Sequence, residues 1–156
     1  MLGRLLTKRP LMCVVASAGG HLAEALLCLE GVSYARYLVT YRLPHTDRSL
    51  AGQEYYYVLN PHTHWWRYPL NFVQSLLIYV KKRPRFILTT GSGMALATCL
   101  IGKALGSRII FVETGARSRT ASLTARLLYP LSDLFVVQWP PLLKLFAKAT
   151  YGGLLF

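Results

Sequence analysis

Six short runs rich in β-branched and aromatic residues punctuate the chain, and most are followed by a segment whose apolar residues fall at helical spacing. The runs are Leu11–Ala16, Tyr34–Thr40, Tyr55–Leu59, Phe86–Thr89, Arg108–Val112 and Leu134–Gln138. Helical spacing fills Gly20–Glu30, Tyr68–Lys82, Gly91–Leu105 and Ser118–Tyr129, whereas YRLPHTDRSLAGQE between the second and third runs reads as a polar loop. Strands separated by helices of this length connect as right-handed βαβ units and form a parallel sheet. The predicted fold is therefore α/β, a Rossmann-like parallel sheet with helices on both faces. A chain of 156 residues suits one such domain, placed at 11–150.

Charge narrows the function classes. Eighteen Lys and Arg stand against six Asp and Glu, a net charge of +12, while 53% of residues are hydrophobic. Basic charge on an apolar chain points to an anionic membrane surface or a phosphorylated ligand. Nucleic acid is disfavoured, because the chain lacks an aromatic-basic stripe, a zinc pattern and a helix-turn-helix signal. No apolar stretch reaches the ~18 residues of a spanning helix, and the start MLGRLLTKRP does not read as a signal peptide. The three cysteines, Cys13, Cys28 and Cys99, lie in apolar surroundings without metal-like spacing, which suggests buried reduced thiols.

In a parallel sheet, ligands sit where strands give way to helices, and three such junctions carry glycine. The first, Ser17-Ala18-Gly19-Gly20-His21, joins a strand to a helix N-terminus, where bare backbone amides and the helix dipole favour an oxyanion. The same residues also suit a tight turn that binds nothing. The spacing is not G-x-G-x-x-G, and no acidic residue ends the second strand, so NAD is disfavoured. The second junction is Thr89-Thr90-Gly91-Ser92-Gly93. The third, Val112-Glu113-Thr114-Gly115-Ala116-Arg117-Ser118-Arg119, offers a carboxylate that can take a proton or bind a sugar hydroxyl, and arginines suited to phosphate. A local ion pair between Glu113 and an arginine is the plainer alternative. Together the loops describe a pocket for something phosphorylated.

These three loops, in this order on the strands, resemble the PssD-type subunits of bacterial polysaccharide glycosyltransferases. That group is related to the membrane-bound subunit of the dolichol-pathway N-acetylglucosaminyltransferase. More distantly, the loops are similar to the N-terminal half of the peptidoglycan lipid-intermediate N-acetylglucosaminyltransferase, whose first loop is richer in glycine than SAGGH. The resemblance runs from about Leu11 onward. It implies one half of a GT-B glycosyltransferase, the acceptor-side half, with a separate PssE-type donor-domain subunit holding most of the UDP-sugar. The implied reaction is inverting transfer from a UDP-sugar to an undecaprenyl-diphosphate-linked saccharide at the cytoplasmic face of the inner membrane, in exopolysaccharide or capsule biosynthesis. No cofactor is required beyond the UDP-sugar donor. His21 is then a general base, since imidazole suits proton transfer near neutral pH, and Glu113 is the rival base or an acceptor-orienting group. Ser17, Gly19, Gly20, Thr90, Gly91, Ser92, Gly93, Thr114 and Arg117 would bind the acceptor and its diphosphate. A non-catalytic anchor that recruits a catalytic partner is the alternative.

The segment NPHTHWWRYPLNFVQSLLIYVKKRPR is the expected membrane contact, through Trp65, Trp66, Tyr68, Lys81, Lys82 and Arg83. An ordinary sheet-covering helix with a cationic C-terminal end fits the same residues. Residues 1–10 are a second, weaker candidate for membrane contact. His62 and His64 form an H-x-H pair, but no Cys, Asp or Glu lies close in sequence, so no metal site is expected. The apolar tail 151–156 is a candidate for docking onto the partner, and burial against the domain's own sheet is the alternative. Deleting these six residues is expected to weaken co-purification with a donor-domain subunit; undiminished co-purification would rule that docking out.

Overall fold

The computed structural model describes residues 10–44 and 46–155; the N-terminal membrane-contact candidate, Pro10 aside, and Phe156 of the tail lie outside the described residues. Its strands are β1 (Met12–Val15), β2 (Arg36–Thr40), β3 (Tyr55–Tyr57), β4 (Phe86–Thr89), β5 (Arg108–Val112), β6 (Leu134–Val137) and β7 (Thr150–Tyr151). The helices are α1 (Gly20–Leu27), α2 (Thr46–Ser49), α3 (Arg67–Lys82), α4 (Ala95–Ala104) and α5 (Leu123–Leu128). The strands form one sheet in the order β3-β2-β1-β4-β5-β6-β7, and every neighbouring pair is parallel. The Rossmann-like reading of the sequence therefore holds.

Alternation along the strands separates two cores. Cys13, Val15, Tyr37, Val39, Ile87, Ile109 and Phe111 pack on one side with α3, α4 and α5. Met12, Val14, Ala16, Leu38, Leu88 and Val112 pack on the other with Leu22 and Ala25 of α1 and with Leu50. Burial of both faces is what a parallel sheet needs. Cys13 and Cys99 are buried and Cys28 is half-buried; none is in a disulfide. The order reverses between β1 and β4, whose carboxyl ends form the switch point at which such sheets bind ligands.

Several helices are shorter than their apolar spacing suggests. Helix α1 stops at Leu27 rather than Glu30, where the chain turns through Gly31 at φ +74°. Helix α4 begins at Ala95 rather than Gly91, because Gly91 and Ser92 take φ of +108° and +83°, outside helical geometry. Helix α5 begins at Leu123 rather than Ser118. Ser122 caps it, its Oγ accepting from Ala125 N–H at 3.0 Å, and residues before it run as loop. The six expected strands gain a seventh, β7, only two residues long. It pairs with β6, and Gly152 N–H donates to Val137 C=O just beyond it. Leu155, in the same C-terminal stretch, packs against the second core.

Helix α3 has a mixed inward face: Leu76 and Ile78 pack against the first core, yet two of its three fully buried residues are polar. Its buried residues, Asn71, Ser75 and Tyr79, follow the four-residue spacing of a single face. Asn71 Nδ2 donates to Leu59 C=O at 2.9 Å, Ser75 Oγ accepts from Thr98 of α4 at 3.1 Å, and Tyr79 Oη lies 2.8 Å from Ser107 Oγ. Its outward face carries Leu70, Val73, Leu77 and Val80, between 45% and 67% exposed.

Candidate functional site

The loops after β1, β4 and β5 leave neighbouring strands at the same sheet edge, and hydrogen bonds tie them together. Thr90 Oγ1 donates to the backbone carbonyl of His21 at 2.7 Å, fixing the second loop against the start of α1. Gly91 sits under the imidazole: a Cβ there would come 3.6 Å from His21 Cε1. Gly19 takes φ +100°, the left-handed geometry that glycine tolerates. A Cβ on Gly19 or Gly20 would meet nothing within 4 Å, so the space above the first loop is open. The first amides of α1 point from a helix N-terminus, where N–H groups have no intrahelical partner. Ser17, by contrast, is buried, and its carbonyl accepts from Leu22 N–H at 3.1 Å.

Glu24, which the sequence reading passed over, organises this edge. It lies one helical turn after His21 and is 4% exposed. Its Oε1 accepts from Gly115 N–H at 2.8 Å and from Thr114 Oγ1 at 3.1 Å, so the first helix holds the third loop. Its Oε2 is buried without a hydrogen-bond partner and lies 3.9 Å from His21 Nδ1, which is likewise buried and unpartnered. The i, i+3 spacing of His21 and Glu24 was the available signal. Gln138 and Trp139, just past β6, were also missed. They brace the third loop: Gln138 Nε2 donates to Glu113 C=O at 3.1 Å and Trp139 Nε1 to Gly115 C=O at 2.7 Å.

Glu113 is fully buried, and its carboxylate is engaged within its own loop. Oε1 accepts from Thr114 N–H at 3.1 Å, and Oε2 accepts from Ser122 N–H at 3.2 Å and Ser122 Oγ at 3.1 Å. No ion pair joins it to Arg117 or Arg119 among the described residues; Arg117 Nη1 reaches Thr120 Oγ1 at 3.5 Å. Burial pushes the Glu113 carboxyl above its ordinary value, only partly offset by the hydrogen bonds from Ser122 and Thr114.

The second loop also meets the aromatic segment. Gly93 N–H donates to His62 Nε2 at 3.1 Å, and a Cβ on Gly93 would fall 2.7 Å from that nitrogen and 3.3 Å from Tyr68 Oη. His64 instead stacks on Trp66, so the two histidines point to different tasks. Trp65 is 83% exposed, and Trp66 and Tyr68 are also open. Of the cations at the other end of α3, Arg83 is exposed at the left-handed C-cap, Lys82 is paired with Glu54, and Lys81 Nζ lies 5.7 Å from the centre of the Tyr56 ring. A hollow of about 670 Å³ lined by Pro10, Tyr34, Arg36 and Glu54 lies at the opposite sheet edge, away from the glycine loops.

The profile described as "Oligosaccharide biosynthesis protein Alg14 like" matches residues 61–155. The chain is similar to the human UDP-N-acetylglucosamine transferase subunit ALG14, 26% identical over 90% of this chain and 80% of that protein. It is also similar to the subunits of the same name from Candida albicans, 36% identical over 54% of this chain and 42% of that protein, and from Kluyveromyces lactis, 53% identical over 31% and 21%. The chain thus spans less than half the length of these two yeast relatives. Among solved structures it is similar to Acinetobacter baumannii MurG, with a TM-score of 0.68 at 15% identity, covering 85% of this chain and 42% of that one. A Listeria monocytogenes protein titled as a UDP-N-acetylglucosamine 2-epimerase gives a TM-score of 0.64 at 12% identity over 86% and 41%. At these identities the structures speak to the fold alone: this chain has the architecture of one Rossmann-like half of a GT-B protein.

Removing the Glu113 carboxylate strands three donors, so Glu113→Ala is expected to lower the unfolding free energy by about 1–3 kcal/mol. The pH dependence has a definite sign. A carboxyl whose folded value is raised contributes most below its ordinary value of 4.5 and progressively less as pH climbs through the raised value. Denaturant titrations of parent and Glu113→Ala should therefore converge as pH rises across that window. A gap that widens instead would contradict the burial argument.

Proposed function

The chain belongs to the Alg14-like family of oligosaccharide biosynthesis proteins, and from that membership we propose that it is the acceptor-side subunit of a two-chain inverting glycosyltransferase. The partner is a donor-domain subunit of PssE type, and the reaction moves a sugar from a UDP-sugar to a lipid-diphosphate-linked saccharide. The relatives' names make UDP-N-acetylglucosamine the first donor to test. The acceptor we propose is undecaprenyl-diphosphate-linked, in bacterial exopolysaccharide or capsule synthesis.

One observation carries this reading: His21 stands at the rim of an open glycine-floored loop, locked by Thr90 to the second loop at the sheet's switch point. In the proposed reaction an acceptor hydroxyl oxygen attacks the anomeric carbon. The bond from that carbon to the UDP oxygen breaks, and its electron pair leaves with UDP. The hydroxyl proton passes to His21. Amides at Gly19, Gly20 and the start of α1 hold diphosphate oxygens, with Arg117 as an added clamp. Ser17, Thr90, Gly91, Ser92, Gly93 and Thr114 shape that floor. Between the two carboxylate-or-imidazole candidates for the base, the site favours His21, because Glu113 is sealed and committed to Ser122 and Thr114.

The same reading assigns the outward face of α3 to the bilayer. Tyr68, whose hydroxyl lies beside Gly93 of the second loop, follows the exposed Trp65 and Trp66 in the chain, and Leu70, Val73, Leu77 and Val80 continue the apolar strip toward Lys81 and Arg83. No helix among the described residues is long and apolar enough to cross a membrane. A lipid-linked acceptor would then reach the glycine loops from the surface on which α3 lies, at the cytoplasmic face of the inner membrane.

Sugar transfer to a diphosphate-linked lipid saccharide, measured with this chain alone, with its donor-domain partner, and with His21→Ala in that pair, tests the assignment. Activity only in the pair and a fall of about 10²–10⁴ in kcat for the variant are expected. Full activity of an intact His21→Ala pair would make this chain a non-catalytic anchor. For the membrane face, Leu77→Glu forfeits on the order of 1.5–3 kcal/mol of apolar burial, and flotation with anionic vesicles should show correspondingly weaker binding. Unchanged flotation would remove α3 from the contact.

A further inference from the structure

Two buried atoms without partners face each other beside the open loop: Glu24 Oε2 and His21 Nδ1, 3.9 Å apart. An unsatisfied buried carboxylate oxygen is costly, and so is an unsatisfied ring nitrogen. A single proton on Nδ1 satisfies both once the side chains close by about 1 Å, into hydrogen-bonding range. Glu24 is not free to look elsewhere, because its other oxygen is held by Gly115 N–H and Thr114 Oγ1. The imidazole is confined as well: Thr90 fixes the His21 backbone, and Gly91 lies beneath Cε1. With Nδ1 buried and 31% of the side chain exposed, Nε2 is the ring nitrogen left accessible to a ligand.

The geometry points to Glu24 as the positioning residue of this site: its carboxylate holds the proton on His21 Nδ1, so that Nε2 presents a lone pair toward the acceptor. This inference rests on the reading of His21 as the base. In the transfer step the acceptor hydroxyl proton moves to Nε2, the proton on Nδ1 stays between the ring and Glu24, and the carboxylate stabilises the imidazolium that results. Because Glu24 also holds Thr114 and Gly115, the third loop must be seated for the base to be correctly oriented.

Glu24→Gln isolates the effect. The glutamine carbonyl can still accept from Gly115 and Thr114, preserving the loop tie. Its NH₂ group, however, now points a donor at Nδ1. The imidazole must then accept at Nδ1 and carry its proton on Nε2, which removes the lone pair that the acceptor needs. The tautomer is read by ¹H–¹⁵N correlation on the full chain with labelled histidine at about pH 8, above the ordinary imidazole value. Transfer is measured in parallel with the donor-domain partner.

The expected result is an Nδ1–H ring in the parent and an Nε2–H ring in Glu24→Gln, with kcat reduced at least about tenfold and the acceptor KM within about twofold. A merely structural role would leave the tautomer untouched. An Nε2–H ring in the parent, or the same tautomer in both proteins, overturns the inference whatever the activity; so does an inverted tautomer with undiminished kcat while His21→Ala is inactive. Should Glu24→Gln fail to fold, the parent ring decides alone, Nδ1–H supporting and Nε2–H overturning. Failure of the base assignment has a separate signature: full transfer by His21→Ala, with the tautomer inversion still present.

Discussion

A parallel β-sheet has no solvated face to spare, so helices must cover it on both sides and every crossover must return to the same starting edge. Here that constraint places the ends of β1, β4 and β5 side by side. Residues distant in sequence, such as Glu24 and Gly115, then come within hydrogen-bonding distance without any dedicated structure to bring them there. The three glycine loops are thus a product of the crossovers, and the side-chain bonds among them lock an arrangement that the sheet has already imposed.

Helix α3 answers the same constraint in an unusual way. It covers the sheet through Asn71, Ser75 and Tyr79, whose polar atoms find partners in Leu59, Thr98 and Ser107, together with Leu76 and Ile78, and leaves Leu70, Val73, Leu77 and Val80 outside. Burying polar groups with partners is close to neutral, whereas exposing a strip of large apolar residues is unfavourable in water. In the proposed function the exposed strip meets a second apolar surface, the bilayer. The strip continues from the segment carrying Trp65, Trp66 and Tyr68, and Tyr68 meets the second loop at Gly93, which orients the glycine loops relative to the bilayer in the proposed function.

Much of this was legible in the residue pattern. β-branched runs and intervening helical spacing identified the parallel sheet, because both signals are local and period-specific. The glycine loops were visible for the same reason, since glycine marks backbone that leaves regular geometry. Helix starts after the second and third loops were misplaced for different reasons: Gly91 and Ser92 take positive φ, and Glu113 recruits Ser122 N–H and Oγ, holding the chain as loop until Leu123. Strand β7 was missed because two residues carry no period. Glu24 was hidden by its own helix, where an acidic residue among leucines and alanines reads as an exposed position. Only the parallel packing of β5 beside β4 and β1 reveals that it is buried and turned toward His21. The family match covers 61–155 and so leaves the first loop, where His21 and Glu24 stand, to be judged by geometry.

The strand order has one more consequence, for how the chain comes to be folded at all. β1 occupies the middle of the sheet, with Met12 paired to Arg36 on one side and to Phe86 on the other. During synthesis the first partner follows soon after, but the second edge of β1 stays open until β4 and the whole of α3 have emerged. Through that interval the nascent chain carries an unsatisfied apolar strand, Met-Cys-Val-Val, with one edge unpaired. Non-local pairing of this kind is slow, and open strand edges invite intermolecular pairing. For this protein the hazardous stage precedes the native state and ends only when β4 takes its place beside β1.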